Sequence, residues 1–403
     1  MKNNIRLKKV LEYGIYHHNL NTEAGLPGLK SGFPIPNFFL KKNKLNTSDL
    51  PNIIESILVK KIKNLNESYL MCSGGVDSSL LLSYLSESKK KFIAINTYYP
   101  NHKYNDLDKI NSLKKFYNFK PLYVMISNKE YFKGLNCNWK NNYYGNTYAP
   151  TLFYTINNLN KKKYLITGSG PDELFYGMEK YKPKTFLRKN KIIKSLEEID
   201  YSYNLNSYKK LLNKNGLTIL EEILSTRKIL YLQISNISEN LLNAQRILSY
   251  CTVTNQHVKM FNEASKSNNM IHCAPFLDDE IIKLAFQTDL STFLDKKLLK
   301  MNKIECGKKI LKEMLEKKTN KTHVKSKKIG FHAPVSKFFL QNDQLVNFYK
   351  DLNFEVVENI FNIDKLKKKL SKYKFKKNYD DYFYFSFLNV YQQLLDNKNY
   401  EKK

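Results

Sequence analysis

Two glycine-bearing segments carry acidic and hydroxyl side chains in a pattern suited to binding phosphate. The first follows a short apolar stretch and consists of Ser73, Gly74, Gly75, Val76, Asp77, Ser78 and Ser79. Its glycines let the backbone turn tightly, and the unpaired N–H groups of a following helix favour an anion. Asp77 would repel a bare phosphate, so its presence indicates a divalent cation such as Mg²⁺ between carboxylate and phosphate oxygens. The alternative is a tight strand–helix turn with serine-rich capping.

The second segment follows another apolar stretch and also brings acids to a glycine turn. It consists of Gly168, Ser169, Gly170, Pro171, Asp172, Glu173, Leu174, Phe175, Tyr176 and Gly177. Ligands of open α/β sheets bind at the carboxyl ends of the strands, where this turn should face the first one. We therefore expect Asp77 and Asp172 to hold one Mg²⁺ together. The alternative is an acidic helix start that complements the helix dipole.

Apolar runs and helical periods alternate around these segments. Strands are predicted at 69–72, 92–97, 122–126 and 164–167, and helices at 48–63, 106–117 and 151–159. This alternation predicts an α/β fold, a parallel sheet with helices on both faces. After about residue 185 the strand signal disappears and a helical period continues, for example over 219–234. The second half is therefore predicted to be mainly helical.

These patterns divide the chain of 403 residues into three predicted parts. Residues 1–47 are predicted to form an N-terminal arm, because glycine and proline crowd positions 25–36 and break regular structure. Residues 48–185 form the predicted α/β core, and residues 186–403 form the mainly helical part.

Composition limits the class of protein. Apolar residues make up 42% and charged residues 26%, as in globular proteins, and no apolar run or leader predicts a membrane span or secretion. Five scattered cysteines without CxxC spacing favour a reducing cytoplasm. The formal charge of +30 suits a nucleic-acid partner. Asparagine and aromatic residues are also abundant. An AT-rich genome explains the excess of lysine, asparagine and aromatic residues without a nucleic-acid partner.

The first segment lacks the Gly-Lys-Ser/Thr of a Walker loop. It resembles the pyrophosphate loop of the N-type ATP pyrophosphatases, and the second segment resembles the second signature of the asparagine synthetase family, in its C-terminal synthetase domain. Three further stretches resemble that family in the same order, over about 45–395: Tyr148-Ala149-Pro150, Pro275-Phe276-Leu277-Asp278, and Lys328 with Phe331 and Pro334. The resemblance implies an adenine nucleotide α-hydrolase-like fold.

The resemblance also implies an activity. A substrate carboxylate would attack the α-phosphorus of ATP, release pyrophosphate, and then pass its acyl group to an amine or ammonia. Lys328, Asp77 and Asp172 are the implied catalytic residues, with the two aspartates as Mg²⁺ ligands. The residues implied to bind ATP are Cys72, Ser73, Gly74, Gly75, Asp77, Ser78, Ser79, Ile95, Gly168, Ser169 and Asp172.

Three departures from the family change the expected substrate. Only about 70 residues precede the first segment and no cysteine occurs before Cys72, so no glutaminase domain is expected, and ammonia would come from solution or a separate glutaminase. Ser169 replaces a usual Glu. Ile271 replaces another Glu, and Cys273 replaces an Arg, so aspartate amidation is doubtful. The acyl and amine pocket has then been rebuilt for another carboxylate, or His272 supplies a proton relay.

Some residues and functions remain as alternatives. His332 is a candidate neighbour of the site, and Trp139, in a predicted loop over 136–148, borders the acyl substrate or merely anchors that loop. A tRNA-modifying enzyme would use Cys137 and Cys251. A non-catalytic family member is the third alternative. Relatives without a glutaminase domain suggest a natural-product or surface-polysaccharide pathway.

Overall fold

A computed structural model gives the fold of the chain. It describes residues 2–16, 49–100, 105–160, 163–177, 192–200, 205–238, 240–295, 297–298, 306–324, 333–335, 338, 351–371 and 380–401.

A five-stranded parallel sheet lies at the centre of the α/β part. Its strands are β1 (Ser68–Met71), β2 (Phe92–Tyr98), β3 (Pro121–Met125), β4 (Tyr164–Ile166) and β5 (Ile271–Cys273), in the order β3-β2-β1-β4-β5. Ser68 is in register with Phe92 on one side and with Tyr164 on the other. Because the strand order reverses between β1 and β4, the loops after these two strands border a topological switch point.

Helices cover both faces of this sheet and also build the separate helical part of the chain. They are α1 (Lys2–Tyr16), α2 (Leu50–Ile62), α3 (Val76–Glu87), α4 (Leu107–Leu113), α5 (Asn128–Lys140), α6 (Ala149–Asn157), α7 (Pro171–Leu174), α8 (Ile192–Asp200), α9 (Leu205–Leu211), α10 (Lys214–Ile237), α11 (Leu241–Ser249), α12 (Asn255–Lys266), α13 (Asp279–Gln287), α14 (Lys309–Lys318), α15 (Lys321–Val324), α16 (Ile363–Ser371) and α17 (Asp380–Glu401), with a π-helix at Tyr250–Thr254. None of these described helices combines the length and apolar character of a membrane span.

Alternate strand residues enter two different hydrophobic cores, as the pleat of a sheet requires. Leu70 and Ile166 are buried in the cluster that includes residues of α2, α3 and α13. Tyr69 and Leu165 point to the other face and join the cluster of α6 and α12. The α/β class and the mainly helical second half predicted from the sequence are confirmed.

The helical part has its own core, which includes the amino-terminal helix. Val10, Leu11 and Ile15 of α1 are buried among residues of α9, α10, α16 and α17. The reading of residues 1–47 as an arm without regular structure was therefore wrong for Lys2–Tyr16. The glycine- and proline-rich positions 25–36 on which that reading rested lie outside the described residues.

The predicted strands and helices of the α/β part are present with small shifts at most ends, although α4 ends at Leu113, before the predicted residue 117. Two further elements were missed. Strand β5 lies in the half predicted to have no strands, and its three residues are too few to show a period. Helix α5 begins at a capping box of Ser127 and Glu130 and ends at Lys140, so it includes residues 136–140 of the predicted loop over 136–148.

Candidate active site

The first loop (residues 73–79) is closed by hydrogen bonds among its own residues. The Ser78 hydroxyl accepts from the Ser73 N–H at 3.2 Å and donates to the Gly75 carbonyl at 3.3 Å. Gly74 has φ +70°, and a Cβ at this position would lie 2.7 Å from the Cβ of Lys109 on α4. Both the left-handed backbone and the close approach of α4 therefore require glycine at position 74.

Helix α3 begins within this loop, at Val76, without a capping side chain. Gly75 is its N-cap residue, and Asp77 lies in its first turn. The first N–H groups of a helix have no partner inside the helix, and the helix dipole makes this end positive. The loop and helix start therefore form a cradle suited to an anion, with one carboxylate at its edge.

The second loop (residues 168–177) contacts the first. A Cβ at Gly168 would lie 3.1 Å from the Cβ of Asp77 and 3.2 Å from the Ser78 nitrogen. Gly170 has φ +108°, and Asp172 follows in the short helix α7. The two loops therefore meet at the carboxyl edge of the sheet, as predicted. Asp172 also lies at an acidic helix start, as the alternative interpretation expected, and the shared Mg²⁺ stays a prediction.

A lysine joins the two loops. The Nζ of Lys308 lies 2.5 Å from the Oδ2 of Asp77 and 2.7 Å from the Oδ1 of Asp172. Because one nitrogen contacts both oxygens, the two carboxylates lie close together. Burial lowers the pKa of Lys308, but the carboxylates of Asp172 and Asp77 raise it more, so the net pKa is raised. Lys308 therefore stays protonated and places a positive charge between the two acids.

The backbone around Lys308 is strained to achieve this contact. Lys308 and Tyr176 are both left-handed, with φ +57° and +60°, and the Lys308 N–H donates to the Phe175 carbonyl at 2.7 Å. A Cβ at Gly307 would collide with the Tyr176 carbonyl, and one at Gly177 would collide with Lys308. Non-glycine residues in this conformation cost free energy, and such positions cluster at functional sites.

Sequence reasoning missed Lys308. The signal that could have found it is the pair Gly307 and Lys308 directly before a helical period, together with Gly177 at the end of the second loop. Neither pattern shows by itself that the two segments meet, because the long chain between them hides the contact.

His323 on α15 contacts Ser79 of the first loop and Ser112 of α4. Its Nδ1 lies 3.0 Å from the Ser112 hydroxyl, which itself donates to the Lys109 carbonyl, so the imidazole donates to Ser112. Its Nε2 can then accept from the buried hydroxyl of Ser79 at 3.4 Å. Burial, followed by the charge of Lys109, lowers the pKa of His323 and keeps the ring neutral. The Ser79 hydroxyl thus faces His323, and its contact with a nucleotide stays a prediction.

Comparison with known protein families identifies the chain at the family level. The family model described as asparagine synthase matches residues 67–382 of the 403 residues. The chain belongs to the asparagine synthase family. Comparison with curated proteins gave no match. Membership supports an ATP-dependent ligase of the asparagine synthetase type.

The remaining ATP-binding residues expected from the asparagine synthase family lie beside the first loop. The Cys72 N–H donates to the Ile95 carbonyl at 2.8 Å, and the Asn96 amide donates to the Cys72 carbonyl at 3.0 Å. Both Cys72 and Ile95 are buried. Burial raises the pKa of the Cys72 thiol to about 11, so the thiol is not a nucleophile at neutral pH. Their backbones lie at the same edge as the loops, and the adenine contact stays a prediction.

Position 271, where the family usually has Glu, lies at the amino ends of the strands, opposite the end where the two loops meet. Ile271 is in register with Tyr164 at the start of β4, whereas Cys273 is in register with Ile166 near its end. The Ile271 side chain is 56% exposed. A carboxylate at position 271 would therefore lie at the amino edge, away from both loops, and its loss does not by itself remove a base from the site.

Other predicted site residues have different outcomes. Lys328, Phe331 and His332 lie outside the described residues. Trp139 lies on α5 rather than in a loop, and its indole Nε1–H donates to Asn389 of α17 at 2.9 Å. Trp139 therefore links α5 to α17 instead of anchoring a loop, and its contact with an acyl substrate stays a prediction.

The acids at the meeting point fit a magnesium ion that is shared with a phosphate. Among the described residues, no group of three His, Cys, Asp or Glu side chains could hold a metal alone. Mg²⁺ usually takes one or two carboxylates and completes its shell with water and phosphate oxygens. Asp77 and Asp172, which converge on one nitrogen, supply that number of carboxylates.

Proposed function

We propose that this member of the asparagine synthase family uses ATP to adenylate a substrate carboxylate and transfers the acyl group to an amine or ammonia. The convergence of Asp77, Asp172 and Lys308 beside the uncapped start of α3 carries this proposal. An anion cradle, a buried cation and two carboxylates that could hold Mg²⁺ are suited to a departing pyrophosphate.

The first step joins two anions, which is its main difficulty. A carboxylate oxygen attacks the α-phosphorus, the bond from that phosphorus to the bridging oxygen breaks, and pyrophosphate leaves with the electron pair. The N–H groups at the start of α3 and the ammonium of Lys308 stabilise the charge that develops on the leaving group. Asp77 and Asp172 would hold Mg²⁺, which neutralises phosphate charge when bound.

The second step forms the amide. The amine nitrogen attacks the acyl carbon, the bond from that carbon to the AMP oxygen breaks with its electron pair on AMP, and the nitrogen loses a proton to water. Lys328, by its family position, would stabilise the tetrahedral intermediate. Ser169 replaces the usual Glu beside this reaction, so the proposed carboxylate is one other than aspartate, in a natural-product or polysaccharide pathway. The nitrogen would come from an amine substrate, from free ammonia or from a separate glutaminase.

A tRNA-modifying activity has less support. A groove of about 630 Å³ is lined by lysines, among them Lys90, Lys91, Lys114 and Lys120, beside the first residues of β2 and β3. These strand starts lie at the amino edge, whereas ligands of such sheets bind at the carboxyl edge. Burial raises the pKa of Cys137, and that of Cys251 to about 12, which disfavours the thiolates that a thiolation mechanism needs.

Pyrophosphate exchange tests the proposal without knowledge of the amine. Labelled pyrophosphate should enter ATP when the full chain is given Mg²⁺ and one of a panel of amino acids, dicarboxylic acids and sugar acids. Asp77→Ala should lower this exchange by about 10²-fold or more, because it removes a group that acts on the leaving pyrophosphate.

The matched control is Asp108→Asn, which changes an exposed carboxylate on α4. It should exchange at the wild-type rate. An Asp77→Ala protein that exchanges as fast as this control would remove Asp77 from the site. A folded wild-type chain that neither exchanges with any of these acids nor binds ATP would instead support the non-catalytic alternative.

A further inference from the structure

A chain of hydrogen bonds runs from α12 to the second loop and takes no part in the steps above. The Nδ1 of His272 lies 2.8 Å from the Oδ1 of Asn262, and its Nε2 lies 2.8 Å from the Thr167 hydroxyl. That hydroxyl lies 3.1 Å from the hydroxyl of Ser169. The His272 ring also stacks on Phe261, with 5.3 Å between centroids. The ring is therefore fixed in both position and plane.

The chain has a defined direction. The Asn262 Oδ1 only accepts, so His272 must carry its proton on Nδ1 and offer the lone pair of Nε2. The Thr167 hydroxyl then donates its one proton to that nitrogen. The Thr167 oxygen accepts a hydrogen bond from the Ser169 hydroxyl, which thereby uses its own proton. The oxygen of Ser169 is thereby left with lone pairs only, so it can accept a hydrogen bond but not donate one.

Ser169 is placed to use this acceptor in the reaction. It stands between Gly168, which adjoins Asp77 and Ser78 of the first loop, and Gly170, which has φ +108°. Thr167 is buried, whereas Ser169 is half-buried and reachable. The series of hydrogen bonds therefore ends at Ser169, where the two loops meet and where a substrate can contact the side chain.

We propose that His272 and Thr167 orient Ser169 so that its oxygen accepts a hydrogen bond from an N–H of the incoming amine. The inference rests on the proposed function and specifies its second substrate, which is ammonia or a primary amine with an N–H to donate while its lone pair attacks. Ser169 contacts the amine, and His272 and Thr167 are positioning residues. Burial lowers the pKa of His272 to about 3, which agrees with a neutral ring that orients and does not store a proton.

A pair of substitutions at Thr167 tests the proposal. Thr167→Val keeps the shape and removes the hydroxyl, so the Ser169 proton is no longer directed. With ammonium chloride as the amine and the acid that gives the fastest exchange, the KM for ammonium should rise about fivefold to tenfold, the effect of one hydrogen bond. Pyrophosphate exchange should change by a clearly smaller factor. Thr167→Ser should restore the KM.

Equal losses in exchange and amide formation, an unchanged ammonium KM, or no rescue by Thr167→Ser would overturn the proposal. Nitrogen NMR of the full chain gives an independent test that needs no substrate. The His272 signal, assigned by its loss in His272→Gln, should show the proton on Nδ1, and a proton on Nε2 would contradict the chain. If the wild-type protein shows no pyrophosphate exchange, the proposed function is wrong and the amine role of Ser169 is wrong with it. The NMR result still decides the direction of the hydrogen bonds.

Discussion

Among the clusters in the described part of the chain that place one cation between two carboxylates, two differ clearly in the exposure of their acids. In the first, Lys308 joins Asp77 and Asp172, whose side chains are 18% and 32% exposed. In the second, Arg227 of α10 joins Glu12 of α1, at 3.2 Å, and Asp200 of α8. Here the three side chains are 0%, 5% and 6% exposed. The charge content is the same, but only the first cluster opens to a ligand.

The type of cation agrees with this difference. Arg227 has a planar guanidinium that binds both acids and also lies 3.3 Å from the centroid of the Tyr16 ring. Burial lowers the pKa of Arg227, but Asp200 and Glu12 raise it more, so it stays charged. Lys308 is a compact charge on a flexible stem, which can follow a phosphate. We infer that the arginine cluster (Arg227, Glu12 and Asp200) holds helices together. The lysine cluster (Lys308, Asp77 and Asp172) serves the reaction.

The largest expected effect is on stability, at the arginine cluster. Arg227→Met leaves two buried carboxylates without their cation, which costs about 3–5 kcal/mol of unfolding free energy. Urea unfolding measures this loss. Lys8→Met removes a solvent-accessible pair with Glu222, 3.7 Å apart, and a hydrogen bond to Thr226 at the same α1–α10 contact, and it should cost less than about 1 kcal/mol. Similar losses in both variants would show that the buried cluster does not hold α1.

The next effect is on activity, at the lysine cluster. Lys308→Met should lower carboxylate-dependent pyrophosphate exchange by about 10²–10³-fold, because it removes charge from the leaving group. Lys309→Met, at the exposed neighbouring lysine, should exchange at the wild-type rate. If Lys308→Met exchanges normally and merely unfolds more easily, the lysine cluster is structural and the comparison fails.

The sequence predicted the first cluster in part and the second not at all. Asp77 and Asp172 were found because glycine turns after apolar strands mark ligand loops in this fold class. Lys308 follows no strand, and its role depends on a tertiary contact with the second loop. Arg227, Glu12 and Asp200 lie on three separate helices, and no local pattern links them. Strand β5, which carries His272, is too short to show a period.

The smallest expected effect concerns pH and the His272 chain. Burial lowers the pKa of His272 to about 3, whereas an unfolded histidine titrates near 6.5. Between these values the unfolded state binds more protons, so the stability that depends on this ring is present above about pH 6.5 and falls as pH falls. The free-energy difference between wild type and His272→Gln should therefore be smaller at pH 5 than at pH 7 in urea unfolding. An equal or larger difference at pH 5 would contradict the neutral ring.

The most direct measurement of the central claim is Mn²⁺ binding in the presence of pyrophosphate, followed by electron paramagnetic resonance. Mn²⁺ accepts the oxygen ligands that Mg²⁺ uses, and this test needs neither the carboxylate nor the amine. The wild-type chain and Asp108→Asn should remove free Mn²⁺ from solution when pyrophosphate is added. Asp77→Asn and Asp172→Asn should each bind at least tenfold more weakly. Wild-type binding in both variants would contradict the claim that these two carboxylates hold the ion on the departing pyrophosphate.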